Sequence, residues 1–203
     1  MNKKIVHDAL ILTAFTLVLG FLLGVVYGVT KEPIAAAEKA ALDEAYKAVF
    51  ADAASFEADD TFDADGAAEI IAASEFPNDE ITAVNKAVDA SGNVLGYVID
   101  VTSHEGSQAD ISFSVGIQND GTLNGYSVTT ISETPGLGML VTEESFYSQF
   151  ENKTEETYTI VKTGSTAENE IQAITGATIS SRAVANGVNA CLVYFRDSLQ
   201  GGN

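Results

Sequence analysis

The sequence predicts an α+β protein: an N-terminal transmembrane helix, a helical connector, and a mixed antiparallel-sheet domain with a C-terminal helix. Three observations carry this reading. Residues 9–29 contain no charged side chain. From about residue 81 to residue 131 apolar and polar residues alternate with a period of two. Near the C-terminus Val184, Val188, Cys191 and Phe195 fall on one helical face. The expected divisions are an anchor at 1–30, a helical and acidic connector at 31–80, the sheet domain at 81–197 and a tail at 198–203.

The charge-free run of 21 residues, Ala9 to Val29, rises as a helix by about 1.5 Å per residue, roughly the 30 Å of a hydrocarbon core. Its hydroxyl-bearing residues are Thr13, Thr16 and Tyr27. Such hydroxyls bond back to the helix or sit at the interface. A cleaved signal peptide has a shorter apolar stretch, about 7–15 residues, so the run reads as an uncleaved anchor. No cysteine follows it directly, which excludes a lipoprotein anchor. Gly20, Gly24 and Gly28 offer a small-residue face to another membrane helix. Lys3 and Lys4 precede the run while Lys31, Lys39 and Lys47 follow it. Positive charge is therefore nearly balanced, and it leaves the orientation open.

Thr30 is placed to cap a second helix, with Pro33 in its first turn where a missing N–H costs nothing. Leu42, Ala45, Tyr46, Val49 and Phe50 form that helix's apolar stripe. Asp52 to Glu80 is acidic and Ala-rich, broken at Asp59-Asp60 and Pro77-Asn78-Asp79; it reads as short helices and loops on a solvated connecting face. Strands are expected at Ile81–Asp89 and Val94–Thr102 around the turn Ala90-Ser91-Gly92-Asn93. Ile111, Phe113, Val115 and Ile117 mark the next strand. Asn119-Asp120-Gly121 is a hairpin turn, and Leu123–Ile131 returns. Tyr158–Lys162 is a further strand, and Ile179–Asp197 the last helix. Cys191 lies on the apolar face of that helix and reads as a core residue.

Composition removes several function classes. Ten Lys and Arg against 29 Asp and Glu give a net charge of −19, whereas a nucleic-acid partner requires a basic footprint. One cysteine and two histidines are too few for a zinc, iron–sulfur or haem site. No metal site and no catalytic residue are assigned.

Two stretches ask for more than structure. Ser132-Glu133-Thr134-Pro135-Gly136-Leu137-Gly138 follows a strand, and Pro-Gly suits a type II turn. Gly136-x-Gly138 is not a dinucleotide fingerprint, because position 141 is Val and no helix pattern follows directly. Thr175-Gly176-Ala177-Thr178-Ile179-Ser180-Ser181 opens the last helix. Its small residues let backbone approach a ligand, and its free N–H groups favour an anion. An ordinary N-cap explains the same residue types.

Thr175-Gly176-Ala177-Thr178 resembles the [Ser/Thr]-Gly-Ala-Thr flavinylation motif of FMN-binding domains. Glu133-Thr134-Pro135-Gly136-Leu137-Gly138 resembles the segment that accompanies it in one branch. That branch is the G subunit of the Rnf ion-translocating ferredoxin:NAD oxidoreductase complex, related to the C subunit of the sodium-pumping quinone reductase. The resemblance covers the N-terminal helix and about residues 81–197. Where the family motif often carries Asp, three residues before its first Ser/Thr, this chain has Gln172.

The resemblance implies FMN held by a phosphoester bond to Thr178. Thr175, Gly176, Ala177, Glu133, Thr134, Pro135, Gly136, Leu137 and Gly138 would bind the cofactor, Gly176 and Ala177 by removing side-chain bulk from the approach and the Thr134–Gly138 loop by covering one edge of the isoalloxazine ring. It also implies a flavin transferase acting outside a bacterial or archaeal cytoplasmic membrane. The N-terminus would then lie inside, with the FMN domain on the outer face. The expected partners are the lipid bilayer and other subunits of a membrane electron-transport complex, which would bind ferredoxin and the nicotinamide. Two other readings stay open: a free-standing extracellular FMN electron carrier, and a structural subunit whose Thr-Gly-Ala-Thr is only a helix cap.

Overall fold

The computed structural model describes residues 3–200. Residues 1–2 and 201–203, the ends of the expected anchor and tail, lie outside it. The chain divides into two compact units, Met1–Leu42 and Asp43–Asn203.

The first unit is one helix. α1 runs Lys3–Val49, with Pro33 inside it, and is long and apolar enough to cross a membrane. Thr13, Thr16 and Thr30 each donate a hydroxyl hydrogen bond to the carbonyl four residues earlier, at 2.7–2.8 Å. The second helix expected to start at Thr30 is therefore a continuation of the first, with Thr30 bonded back to Val26 rather than capping. Composition changes from apolar to charged at Lys31 while the backbone does not change. The helix stays continuous although Pro33 cannot donate to Val29, an interior proline that costs about 3 kcal/mol.

The second unit is built on a five-stranded antiparallel sheet in the order β1-β2-β3-β4-β5. The strands are β1 Ser55–Ala58, β2 Asp79–Val88, β3 Val94–Ser103, β4 Ile111–Gln118 and β5 Leu123–Thr130. The alternation read from the sequence places four of them to within two residues. β1 differs: it lies in the stretch expected as short helices and loops, and pairs Ser55 with Val88 and Ala58 with Asn85. Four residues at a sheet edge, with only Phe56 half-buried, leave no period to read. α2, Ala64–Ala73, follows, with the Asp63 side chain accepting from the Asp65 N–H and Ala67 and Ile71 buried.

One face of the sheet carries Ile99, Val101, Ile111, Phe113, Val115 and Ile117, all at most 1% exposed. Over it lies α4, Thr178–Tyr194, continued by a π-helical turn, Phe195–Leu199. Val184, Val188, Cys191 and Phe195 are buried there, at 0–1% exposure. Cys191 is a core residue, as its helical spacing predicts.

The opposite face receives the C-terminal end of α1. A Cβ on Gly96 would lie 2.7 Å from the Phe50 ring, and one on Gly116 would lie 2.8 Å from Val49 Cβ. These two glycines are the groove that seats the helix end. Tyr46 donates its hydroxyl to Asp100 Oδ2, and Asn85 donates to the Tyr46 oxygen at 2.8 Å. Ser114 donates to Asp100 Oδ1 at 2.6 Å, and Asn124 to the Val49 carbonyl at 2.8 Å. Burial still pushes the Asp100 carboxyl above its ordinary pKa, against the Ser114 and Tyr46 hydrogen bonds.

Between β5 and α4 come a 3-10 turn at Gly138–Thr142, the short α3 at Glu144–Tyr147, and a second 3-10 turn at Ser148–Phe150. Then β6, Thr159–Val161, pairs in parallel with β7, Glu170–Gln172. β6 falls within the expected Tyr158–Lys162. β7 is too short, at three residues, to show a period.

Candidate cofactor site

Glu133 to Gly138 leaves the end of β5 through a tight turn. The Leu137 N–H donates to the Thr134 carbonyl at 3.1 Å, and Gly136 sits at φ +73°. This is the geometry that Pro at the second and Gly at the third turn position favour. The 3-10 turn at Gly138–Thr142 follows at once, where no helical pattern was expected. Its five residues are too few to build one.

The second stretch makes an equivalent turn. The Ala177 N–H donates to the Ile174 carbonyl at 3.0 Å, and Gly176 adopts φ +82°. α4 then starts at Thr178, and its N-cap position is Ala177, with no side-chain cap hydrogen bond. The hydroxyl residues that the ordinary-cap reading relies on do not cap the helix. Ser181 reinforces the turn instead: its Oγ donates to the Ala177 carbonyl at 2.9 Å and accepts the Ile174 N–H at 3.1 Å. The first N–H groups of α4 thus present partial positive charge.

The two turns meet. A pocket of about 250 Å³ is lined by Ser107, Glu133, Thr134, Leu137 and Gly138 on one side, and by Gly176, Ala177, Thr178, Ile179 and Ser180 on the other. Pro135, Gly136 and Thr175 shape the turns and are not among the lining residues. Thr178 is half-buried at the pocket's edge. A Cβ on Gly176 would touch Leu137 Cδ2 at 3.2 Å. One on Gly138 would overlap Glu133 Oε2 and lie 2.7 Å from Ser180 Oγ. Close packing between the turns therefore requires Gly138, while Gly176 is required by its positive φ.

Glu133 is 5% exposed. Its Oε1 accepts the backbone N–H groups of Ser107 at 2.6 Å and Gln108 at 3.1 Å. The carboxylate thereby pins the β3–β4 loop to the site. Ser107 belongs to no motif, and only this fold brings it here. Ile179 reads in sequence as one more helical apolar residue, yet it is 58% exposed beside the pocket, and Leu137 is 42% exposed. Among the described residues no Lys, Arg or His lines the pocket.

These features fit a phosphorylated flavin. A hydroxyl stands at a helix start, uncapped N–H groups there suit a phosphate, and small residues clear the approach. The pocket is smaller than the roughly 300–1,000 Å³ typical for enclosing a whole small-molecule ligand. It suits the phosphate and its attached chain, with exposed Leu137 and Ile179 beside it for an aromatic ring.

Residues 106–193 match the family described as the FMN-binding domain, and residues 1–49 match the RnfG N-terminal region. The G subunit of the ion-translocating oxidoreductase complex of Methanosarcina acetivorans is 31% identical over 196 residues, 95% of each chain. The G subunit of the Na(+)-translocating ferredoxin:NAD(+) oxidoreductase complex of Acetobacterium woodii is 36% identical over 110 residues, 53% of each chain. Among solved structures, Shewanella oneidensis NqrC aligns over 56% of this chain and 57% of its own, with a TM-score of 0.48 and 23% identity. The whole pocket falls inside the matched FMN-binding domain, and the Methanosarcina relative aligns along nearly the entire length; the chain belongs to the G-subunit family of ion-translocating oxidoreductase complexes.

Proposed function

We propose that this chain is an FMN-carrying electron-relay subunit of a membrane ferredoxin:NAD oxidoreductase complex, with the flavin joined through its phosphate to Thr178 Oγ1. The observation that carries this is the convergence of Thr178 and the Glu133–Gly138 turn on one pocket at an uncapped helix start. When bound, FMN supplies the capacity to take up and pass on electrons singly or in pairs. The protein's own residues supply position. The first N–H groups of α4 would hold the phosphate, Gly176 and Ala177 would clear space for it, and Leu137 and Ile179 would give the ring an apolar support.

A covalent bond suits this site for an electrostatic reason. The chain's net charge is −19, Glu133 lines the pocket, and no cation among the described residues does. Free FMN would bring a dianionic phosphate there with only helix N–H groups to hold it, worth about 0.3–1 kcal/mol per exposed interaction. α1 is the membrane anchor, and a flavin transferase outside the membrane attaches the FMN. The domain therefore faces outward and the N-terminus inward. The other members of the complex handle ferredoxin and the nicotinamide.

The test is ultraviolet fluorescence of the denatured protein band after coexpression with a flavin transferase. The wild-type band should fluoresce and the Thr178→Ala band should be dark. A dark wild-type band, with the transferase active on a control substrate, would sink the covalent assignment.

A further inference from the structure

We propose that Glu133 Oε2 and Ser180 Oγ form a binding site for the hydroxyl groups of the ribityl chain, an inference that rests on attachment of FMN at Thr178. The starting point is a buried hydroxyl with no partner. Ser180 is 1% exposed, lines the pocket, and makes no hydrogen bond among the described residues. Several other hydroxyls on helices of this chain are bonded back to the backbone. Thr13, Thr16, Thr30 and Ser148 all donate to the carbonyl four residues earlier. The adjacent Ser181 both donates and accepts. A hydroxyl taken out of water and left unbonded is destabilising, so Ser180 is a group awaiting a partner.

Glu133 is the second half of the site. Its Oε1 is committed to Ser107 and Gln108, while its Oε2 receives no hydrogen bond among the described residues. That oxygen and Ser180 Oγ both abut Gly138, because a Cβ there would meet the two of them. One wall of the pocket thus offers a carboxylate oxygen that can only accept and a hydroxyl that can donate or accept. A second phosphate oxygen would be repelled by the carboxylate, and the polar edge of the ring is separated from the phosphate by the whole length of the ribityl chain. Alcohols satisfy both. Ser180 lies two residues after Thr178, in the same first turn of α4. In FMN the chain bonded to the phosphate is the polyhydroxylated ribityl chain. A phosphate on Thr178 therefore brings alcohol groups to this wall.

Periodate tests this on the full-length flavinylated protein in detergent, because it cleaves the carbon–carbon bonds of vicinal diols. Cutting the ribityl chain releases the ring, and fluorescence is lost from the denatured band. Hydroxyls held by Glu133 and Ser180 should make cleavage slower in native than in urea-unfolded wild type. Ser180→Ala and Glu133→Gln should each speed native cleavage about fivefold, the effect of losing one hydrogen bond. Gln retains an acceptor for Ser107 and Gln108. In urea all three proteins should react alike. Native wild type cleaved as fast as the unfolded protein would overturn the proposal without recourse to any variant, as would native variants indistinguishable from wild type. A wild-type band dark before periodate would instead refute flavin attachment, and this inference with it.

Discussion

Asp79 is a buried carboxylate whose removal should stabilise the protein at neutral and alkaline pH. It opens β2 opposite Ser103 and is 6% exposed. Neither of its oxygens meets a partner at full hydrogen-bonding geometry among the described residues. Burial pushes its pKa from 3.8 up to about 7; Ser103 and His104 pull it back only in part, and the charge of Glu105 adds to the rise. The folded state therefore keeps a proton that the unfolded chain has released over this range. Stability is highest below the ordinary pKa, falls as pH rises from about 4 to 7, and levels off above that. At about 1.4 kcal/mol per pK unit, a shift of roughly three units costs on the order of 4 kcal/mol above pH 7. Asp79→Asn keeps the shape and removes the charge. Denaturant midpoints of the full-length protein in detergent should show the variant more stable than wild type near pH 8, by about 2–4 kcal/mol, with the gap closing near pH 4. His104, whose pKa is raised chiefly by its hydrogen bond to Asp110 and further by Glu80, also loses stabilising charge as pH rises. It does so in both proteins, so the difference between the profiles reports Asp79 together with its coupling to the His104 charge. Parallel profiles for wild type and variant would refute the reasoning.

Gly138→Ala puts a Cβ against Glu133 Oε2 and Ser180 Oγ. It should lower stability by about 1–3 kcal/mol and dim the flavin fluorescence of the denatured band; a melting temperature and band brightness equal to wild type would contradict the packing described. Tyr46→Phe removes the donor to Asp100 Oδ2 and strands the Asn85 amide that donates to the Tyr46 oxygen. A loss of about 1–3 kcal/mol is expected by chemical denaturation. Gly116→Ala should likewise destabilise the unit, because its Cβ would meet Val49 at 2.8 Å. Gly92→Ala, at a turn glycine with nothing within 4 Å but φ +86°, should cost only the backbone strain of about 1–2 kcal/mol, which a thermal melt of both variants would compare.

The residues by themselves determine the features that repeat locally. The charge-free run is legible by composition and length, whereas the four alternating strands with their Gly92 and Gly121 turns and the apolar face of the last helix are periodic over eight residues or more. Burial acts on every second or every third and fourth residue there, so the pattern survives in the sequence. The Pro-Gly and Thr-Gly-Ala-Thr turns are also legible, since positive φ narrows the choice of residue. Tertiary structure alone decides the rest. β1 and β7, at four and three residues, are strands only because β2 and β6 lie beside them. Pro33 reads as a helix start yet lies inside α1. Ser107 reaches the pocket because Glu133 draws the β3–β4 loop across more than twenty residues of chain. Gly116 is small because the helix end lies on it, and Gly96 because the β4 backbone and the Phe50 ring both crowd it. Asp79 reads as part of a Pro-Asn-Asp breaker, and only the closure of α4 over the sheet takes its carboxylate out of water. Each of these depends on a contact between residues distant in sequence, and such a contact leaves no period behind.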